Sequence, residues 1–374
     1  MKIAKIFMSL ATVAALVSVS CSSDSNEPNP GSGNLTISAS PSLILADGVQ
    51  AAKLTVKLGD ADVTSEAKIY LDGNIDALSS NLFTATETGV YSFYASHSGK
   101  ITDKKAVVTA VKEIPEVPAD PQPGSTSFKH RVLATQVTGT ACPNCPYMIA
   151  GVEEAEPEIR DICSFVCLHG NYGGADAFRA FNGPSNNVQA YIACSSAPAF
   201  TVNLSKTMTY ASSNPMTNKN SIVNRIKTVL SDPAKAGIAA NALVSDGEVV
   251  VSATVKAGQT ADYAVDCWLL ENGLQATQSG TSYVQGGYDF NTHNNVLRLT
   301  AGAFSASAWK ATELGEIAAG EQGATVFTLP VDASWNLGNC HVVLIVSTVD
   351  ANGRYVIVNT AKCDVGATLA YDYN

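Results

Sequence analysis

A Cys-x-x-Cys pair, Cys142 and Cys145, set where an apolar run meets a helical pattern, constrains this chain more than any other feature. Val132–Tyr147 (VLATQVTGTACPNCPY) reads as a buried strand, a short turn and a helix opening at the pair. One helical turn brings the two sulfurs within disulfide reach. The helix N-terminus favours the thiolate of the first, so the pair can pass between dithiol and disulfide. Pro143 and Pro146 suit a first turn, where a missing N–H costs nothing. A structural zinc would need a second nearby ligand pair. Cys163 and Cys167, on one face of a strand, stand roughly 13 Å apart and make a poor one. No metal and no cofactor is expected.

The remaining residues look like apparatus that anchors and supports this module. The chain has 374 residues, enough for two or three domains with cores of their own. A net charge of −10 with no basic patch excludes nucleic acid as a partner. Hydrophobic residues reach 46% and charged ones only 15%, with 28 glycines, a balance that suits short strands joined by tight turns. Lys2 and Lys5 precede the apolar run Ile6–Val19, too short and too early to span a bilayer. Residues 1–20 therefore read as an export signal, and 21–34 as a polar tether beginning at Cys21. No later run of about eighteen apolar residues follows. An exported chain meets an oxidising compartment, and of nine cysteines eight remain if Cys21 carries lipid.

Residues 35–112 alternate with period two between turn signals such as Asp47-Gly48 and Asp72-Gly73. Residues 113–127 (EIPEVPADPQPGSTS) form a Pro-rich, semi-extended linker. Between 128 and 235 strands and helices mix. Pro157 closes the first helix, Ile162–Leu168 is a buried strand, and short helical patterns lie around Phe178 and over Val188–Ala193. Pro198 enters another strand, and Ser221–Leu230 is an amphipathic helix. Period two returns over 236–374, with an Asp246-Gly247 hairpin and an irregular stretch over Gln275–Gln322.

Several resemblances give these patterns a shape. Ser18-Val19-Ser20-Cys21 resembles a bacterial lipoprotein signal, which implies that Cys21 becomes a lipidated N-terminus. ETGVYSFY, Glu87–Tyr94, resembles the tyrosine-corner region of immunoglobulin-like sandwiches. The order strand, Cys142-Pro-Asn-Cys145 helix, strand, Ala197-Pro198 strand resembles the thioredoxin-like fold. That resemblance implies a cis Pro198 beside the pair, with Cys142 attacking and Cys145 resolving. Thr138-Gly139-x-x-Cys142-x-x-Cys145-Pro146 and His293-Asn294-Asn295-Val296-Leu297-Arg298, with the leader, resemble the twenty-eight-kilodalton outer-membrane lipoprotein family. The expected architecture is multidomain α/β plus all-β: an immunoglobulin-like β-sandwich, a thioredoxin-like α/β domain and a C-terminal β-sandwich.

Two functions fit. One is thiol–disulfide exchange on exported protein thiols or disulfides, through Cys142, Cys145 and Pro198. The other is a surface binding or structural lipoprotein using the central fold as a scaffold, its ligands unknown. The first expects an accessible Cys142; the second expects a buried, inert disulfide. His169 stands in a Gly-rich loop and is expected to be solvated. His293 and Arg298 are expected on a surface turn. Cys163, Cys167 and Cys194 read as buried structural thiols, and one disulfide is expected among Cys267, Cys340 and Cys363. The location is the outer membrane, by lipid anchor.

Overall fold

The structure, a computed structural model, describes residues 33–179 and 183–374. The expected leader, Cys21 and most of the tether lie outside the described residues. No described helix is long and apolar enough to cross a membrane.

Two compact units divide the chain. The smaller holds residues 33–38, Leu54–Asn81 and Ser92–Ala106. In it Lys68–Leu71 pairs antiparallel with 93–96, and Leu54, Val56, Ile69 and Phe93 are buried. The larger holds Ala39–Lys53, Leu82–Tyr91 and Val107–Asn374. There Leu43–Leu45 runs parallel to 109–111, so the segment 35–112, read above as one module, is shared between the units. The tyrosine corner is present: Tyr91 OH donates to Glu87 O at 2.9 Å.

In the larger unit the elements are β1 (Val132–Thr138), α1 (Cys145–Ile159), β2 (Cys163–His169), α2 (Pro184–Tyr191), β3 (Ala199–Val202), β4 (Thr209–Tyr210) and α3 (Pro215–Val229). Then follow β5 (Ala236–Ser245), β6 (Glu248–Ala257), β7 (Ala261–Glu271), β8 (Val296–Thr300), β9 (Thr312–Ile317), β10 (Gln322–Pro330), β11 (Cys340–Val349), β12 (Tyr355–Asp364) and β13 (Ala367–Leu369). β1 and β2 are parallel, as a helical crossover requires, and β3 joins β1 antiparallel. All seven positions of β1 are buried because both faces are covered. Met148, Ile159, Ile222 and Ile226 of α1 and α3 pack on one face. Val188 and Ile192, in and just after α2, pack on the other.

The sheet does not stop at residue 235. Its order is β4-β3-β1-β2-β8-β7-β11-β12, with β9 beside β7, so strands from both sides of that boundary share one nine-stranded sheet. A second sheet, β10-β6-β5-β13, packs against the later strands over a core of Ala240, Val251, Leu269, Val342 and Leu344. The β5–β6 hairpin turns at Asp246 (φ 48°) and Gly247 (φ 80°), the positive-φ pair of a type I′ turn.

Local readings differ in instructive ways. α1 runs through Pro157 to Ile159, and Phe178 lies in a bend, not a helix. α3 starts earlier than its apolar stripe, because the Asn214 side chain caps Met216 N and Thr217 N and Pro215 follows. The stretch read as irregular contains β8 and β9. The Pro-rich linker is docked: Lys256 Nζ, almost fully buried, reaches Asp120 Oδ2 at 2.7 Å, Pro123 O at 2.8 Å and Gln122 O at 3.1 Å.

Cys267, Cys340 and Cys363 are free thiols in the core, which corrects the expected disulfide among them. Cys267 pairs with Leu344 and Cys363 with Val342, on opposite sides of β11. Two strand spacings, roughly 10 Å, separate them, beyond disulfide reach. Cys163, Cys167 and Cys194 are also free and buried.

Candidate functional site

Cys142 and Cys145 form a disulfide with Cα atoms 5.4 Å apart. Cys145 is the first residue of α1, and Cys142 sits in the preceding turn, its N–H donating to Gly139 O at 3.1 Å. The Ala197–Pro198 bond is cis, and β3 follows it, pairing Ala199 with Val137 beside the strand that leads into the pair. The three expected site residues are thus gathered at the C-terminal end of β1.

The pair is covered. Cys142 is 3% exposed and Cys145 is fully buried. A strap from the C-terminal half, residues 276–284, crosses the Cys-x-x-Cys turn. Gln278 Nε2 donates to Gly139 O at 3.1 Å and to Cys142 O at 3.0 Å, and Ser279 N donates to Thr140 O at 2.8 Å. Gly280 has φ +76°, and a Cβ there would strike the Pro143 carbonyl, so glycine is what lets the strap lie this close. On the opposite side the loop after β2 closes in. Asp176 Oδ2 accepts from Thr140 N at 2.6 Å, and a Cβ on Gly173 would strike the Ala141 carbonyl.

His169 is buried, not solvated, which corrects the sequence reading. Its Nδ1 meets Asp176 Oδ2 at 3.0 Å. Burial opposes ionisation of Asp176, yet hydrogen bonds from His169, Thr140 and Phe178 hold its carboxyl below the usual range. His293 is buried too, its ring 5.2 Å from that of His169 and 5.1 Å from that of Phe178. Burial, then the nearby His169, pushes His293 down to about 4. Arg298 is no surface residue either: its Nε donates to the buried Glu271 Oε2 at 2.8 Å. The surface-turn expectation fails because Leu274–Gln275 pairs with Thr292–His293 and tucks this turn inward.

Sequence reasoning missed a cavity of about 600 Å³ between α1 and the sheet. β2 is bridged to β8 only at Cys167–Val296, and the cavity opens where the two strands part. Gln136, Thr138, Cys163, Cys167, His169, His293 and His341 contribute polar lining, while Val152, Ile159, Phe165 and Phe290 contribute apolar wall. Burial drives the Cys163 and Cys167 thiols up to about 12, so they are inert as nucleophiles at neutral pH. His341 is pushed down to about 3, by burial first and by Lys362 second. The signal that could have found this cavity was the alternation Gln136, Thr138 and Cys163, Phe165, Cys167, His169, which puts polar groups on one face of otherwise apolar strands.

A strand-and-helix layer fused to a β-sandwich defines the general class. The family model described as outer membrane protein Omp28 matches residues 185–368, just under half of the chain, and supports its membership of that family. Its place is accordingly the outer membrane. The matched stretch begins after Cys142 and Cys145 and takes in Pro198, the strap, His293 and His341. No curated protein matches the chain. Among solved structures, HBP35 of Porphyromonas gingivalis is 15% identical, with a TM-score of 0.47, over 64% of this chain and 76% of that one. Protein AGR_C_4864 from Agrobacterium tumefaciens is 11% identical, with a TM-score of 0.37, over 63% and 94%. A domain of the outer membrane lipoprotein Omp28 from Porphyromonas gingivalis is 17% identical, with a TM-score of 0.22, over 35% and 88%.

Proposed function

We propose that this protein is held at the outer membrane by lipid on Cys21. Its thioredoxin-like centre then serves as a binding scaffold stapled by Cys142–Cys145, not as a general oxidoreductase. The observation that carries this reading is the cover: a sulfur that is to attack a partner disulfide must be reached in line, and Cys142 is 3% exposed beneath the strap. Fold likeness to redox proteins does not supply the missing access. Labelling with radioactive palmitate should mark the wild-type chain and not Cys21→Ala, and the unlabelled chain should leave the membrane fraction. A labelled Cys21→Ala protein would sink the anchor assignment.

As a staple, the disulfide closes a very short loop, for which the chain-entropy model gives about 2 kcal/mol. Cys142→Ala/Cys145→Ala should lose about that much in urea unfolding while keeping the native fold. Reduction of the wild-type bond by glutathione should be slow, and Gln278→Ala, which removes the two strap bonds to Gly139 and Cys142, should speed it.

Thiol–disulfide exchange is the second reading, favoured by the placement of Cys145 at the start of α1 with Cys142 one turn before it. With the strap lifted and the pair reduced, the Cys142 thiolate would attack a partner disulfide and release one partner thiolate. Cys145 would then displace the other, leaving the pair oxidised and the partner reduced. Cys145→Ala should then trap mixed disulfides with exported proteins. Rapid reduction of the wild-type bond by glutathione, together with such trapping, would overturn the staple reading.

A further inference from the structure

The cavity between α1 and the sheet contains buried polar atoms that no described residue satisfies. Gln136, 3% exposed, turns Oε1 toward the Cys167 thiol at 3.8 Å and leaves Nε2 without a partner. His341, 1% exposed, has Nδ1 3.4 Å from Asn272 Nδ2, so its ring proton belongs on Nε2, which is also unpartnered. Thr138 Oγ1, on a residue 2% exposed, is the third such atom. An unmet buried donor costs about 1–3 kcal/mol, and three on one wall are more than a well-packed core tolerates by chance.

We propose that this cavity is a binding site for an uncharged molecule carrying carbonyl oxygens on an apolar body. Two N–H donors and an adaptable hydroxyl call for acceptors, which amide or ester carbonyls supply. Ile149, Val152, Ile159, Phe165 and Phe290 provide the apolar wall for the rest. A volume of about 600 Å³ falls in the range of sites for small organic ligands. The charged lining residues Glu153, Glu156, Arg160, Asp289 and Lys362 are all exposed, whereas on the buried wall the thiols are protonated and the His293 and His341 rings are neutral at pH 7. A charged ligand group seated against Gln136, Thr138 and His341 would therefore be desolvated without compensation. The site deepens the binding reading, but it stands apart from the disulfide: neither Cys142 nor Cys145 lines it.

The test is calorimetric titration of the full chain with N-acetyl-leucyl-leucinamide as the amide probe. Dicaproylglycerol serves as the ester probe and zwitterionic dileucine as the charged control, each to about 1 mM, the range of a weak specific site. Binding of either neutral probe, with dileucine silent, is the expected result, and which probe binds identifies the carbonyl source. Gln136→Leu should weaken that binding about five- to ten-fold while stabilising the empty protein, because it removes one unmet donor. A merely structural glutamine would show the opposite change in stability. Silence of both neutral probes, equal binding of dileucine, or unchanged affinity in Gln136→Leu would overturn the proposal. None of these outcomes alters the glutathione kinetics by which the staple reading is judged.

Discussion

Lys256→Met is expected to lower the unfolding free energy by about 3–5 kcal/mol, the cost of breaking a buried charge pair from one side. The Lys256 side chain is 1% exposed and that of Asp120 8%. The Lys256 amine also donates to Gln122 O, Pro123 O and Tyr373 OH. Burial works against the charged amine, but the bonds to Asp120 and Tyr373 outweigh it and raise its pKa. Methionine keeps the length of the chain and removes the charge, leaving Asp120 Oδ2 and two carbonyls without that donor, while Asp120 Oδ1 keeps Tyr373 OH and Gln122 N. Since Asp120, Gln122 and Pro123 belong to the docked Pro-rich segment, that segment should also become sensitive to protease. Urea unfolding measures the loss. A change under about 1 kcal/mol, as for an exposed pair, would mean that water reaches the site.

The second large effect is acid lability. His293 and His341 are held neutral in the folded protein, with pKa values of about 4 and about 3, while each returns to an ordinary value near 6.5 on unfolding. Between pH 6.5 and 4 the unfolded chain therefore binds more protons than the folded one, and stability falls as the pH falls through that window. His293 alone accounts for about 3 kcal/mol by pH 4. The charged and titratable groups facing His293 are His169, Asp176 and Asp289; those facing His341 are Lys362 and Asp364. Asp120 and Asp176, whose carboxyls are held low, lose their contribution only at still lower pH. Urea unfolding at pH 7, 5.5 and 4 should show a steep decline, and His293→Phe should flatten it. A flat wild-type profile would show that both rings are hydrated.

Where local chemistry decides, the sequence was readable. The Cys-x-x-Cys helix, the Asp246-Gly247 hairpin and the tyrosine corner each depend on residues a few positions apart, and each is in place. Asn214-Pro215 was equally local, a capping residue followed by a proline, and marks the start of α3 more surely than the apolar stripe did. Burial could not be read in this way. His169, His293 and Arg298 are polar residues in loop-like surroundings, and only pairing between distant segments puts them inside. β8 and β9 were hidden for the same reason: they are short strands whose partner, β7, lies dozens of residues away in part and supplies the pairing that their own pattern lacks.

By itself, then, the amino-acid order determined the mixed α/β and β character and the chemistry of the Cys142–Cys145 turn, because both follow from periodicity and short-range geometry. Tertiary structure alone decided whether that chemistry is reachable. The strap at Gln278 comes from more than a hundred residues downstream, and its hydrogen bonds to Gly139 and Cys142 exist only once β7, β8 and β11 have joined the sheet begun by β1 and β2. The cavity has the same origin. Its unmet donors at Gln136 and His341 lie on strands separated by most of the larger unit, and no spacing rule brings them together; the bridge between β2 and β8 and the bonds from Thr360 of β12 to Arg131 and Ser164 do.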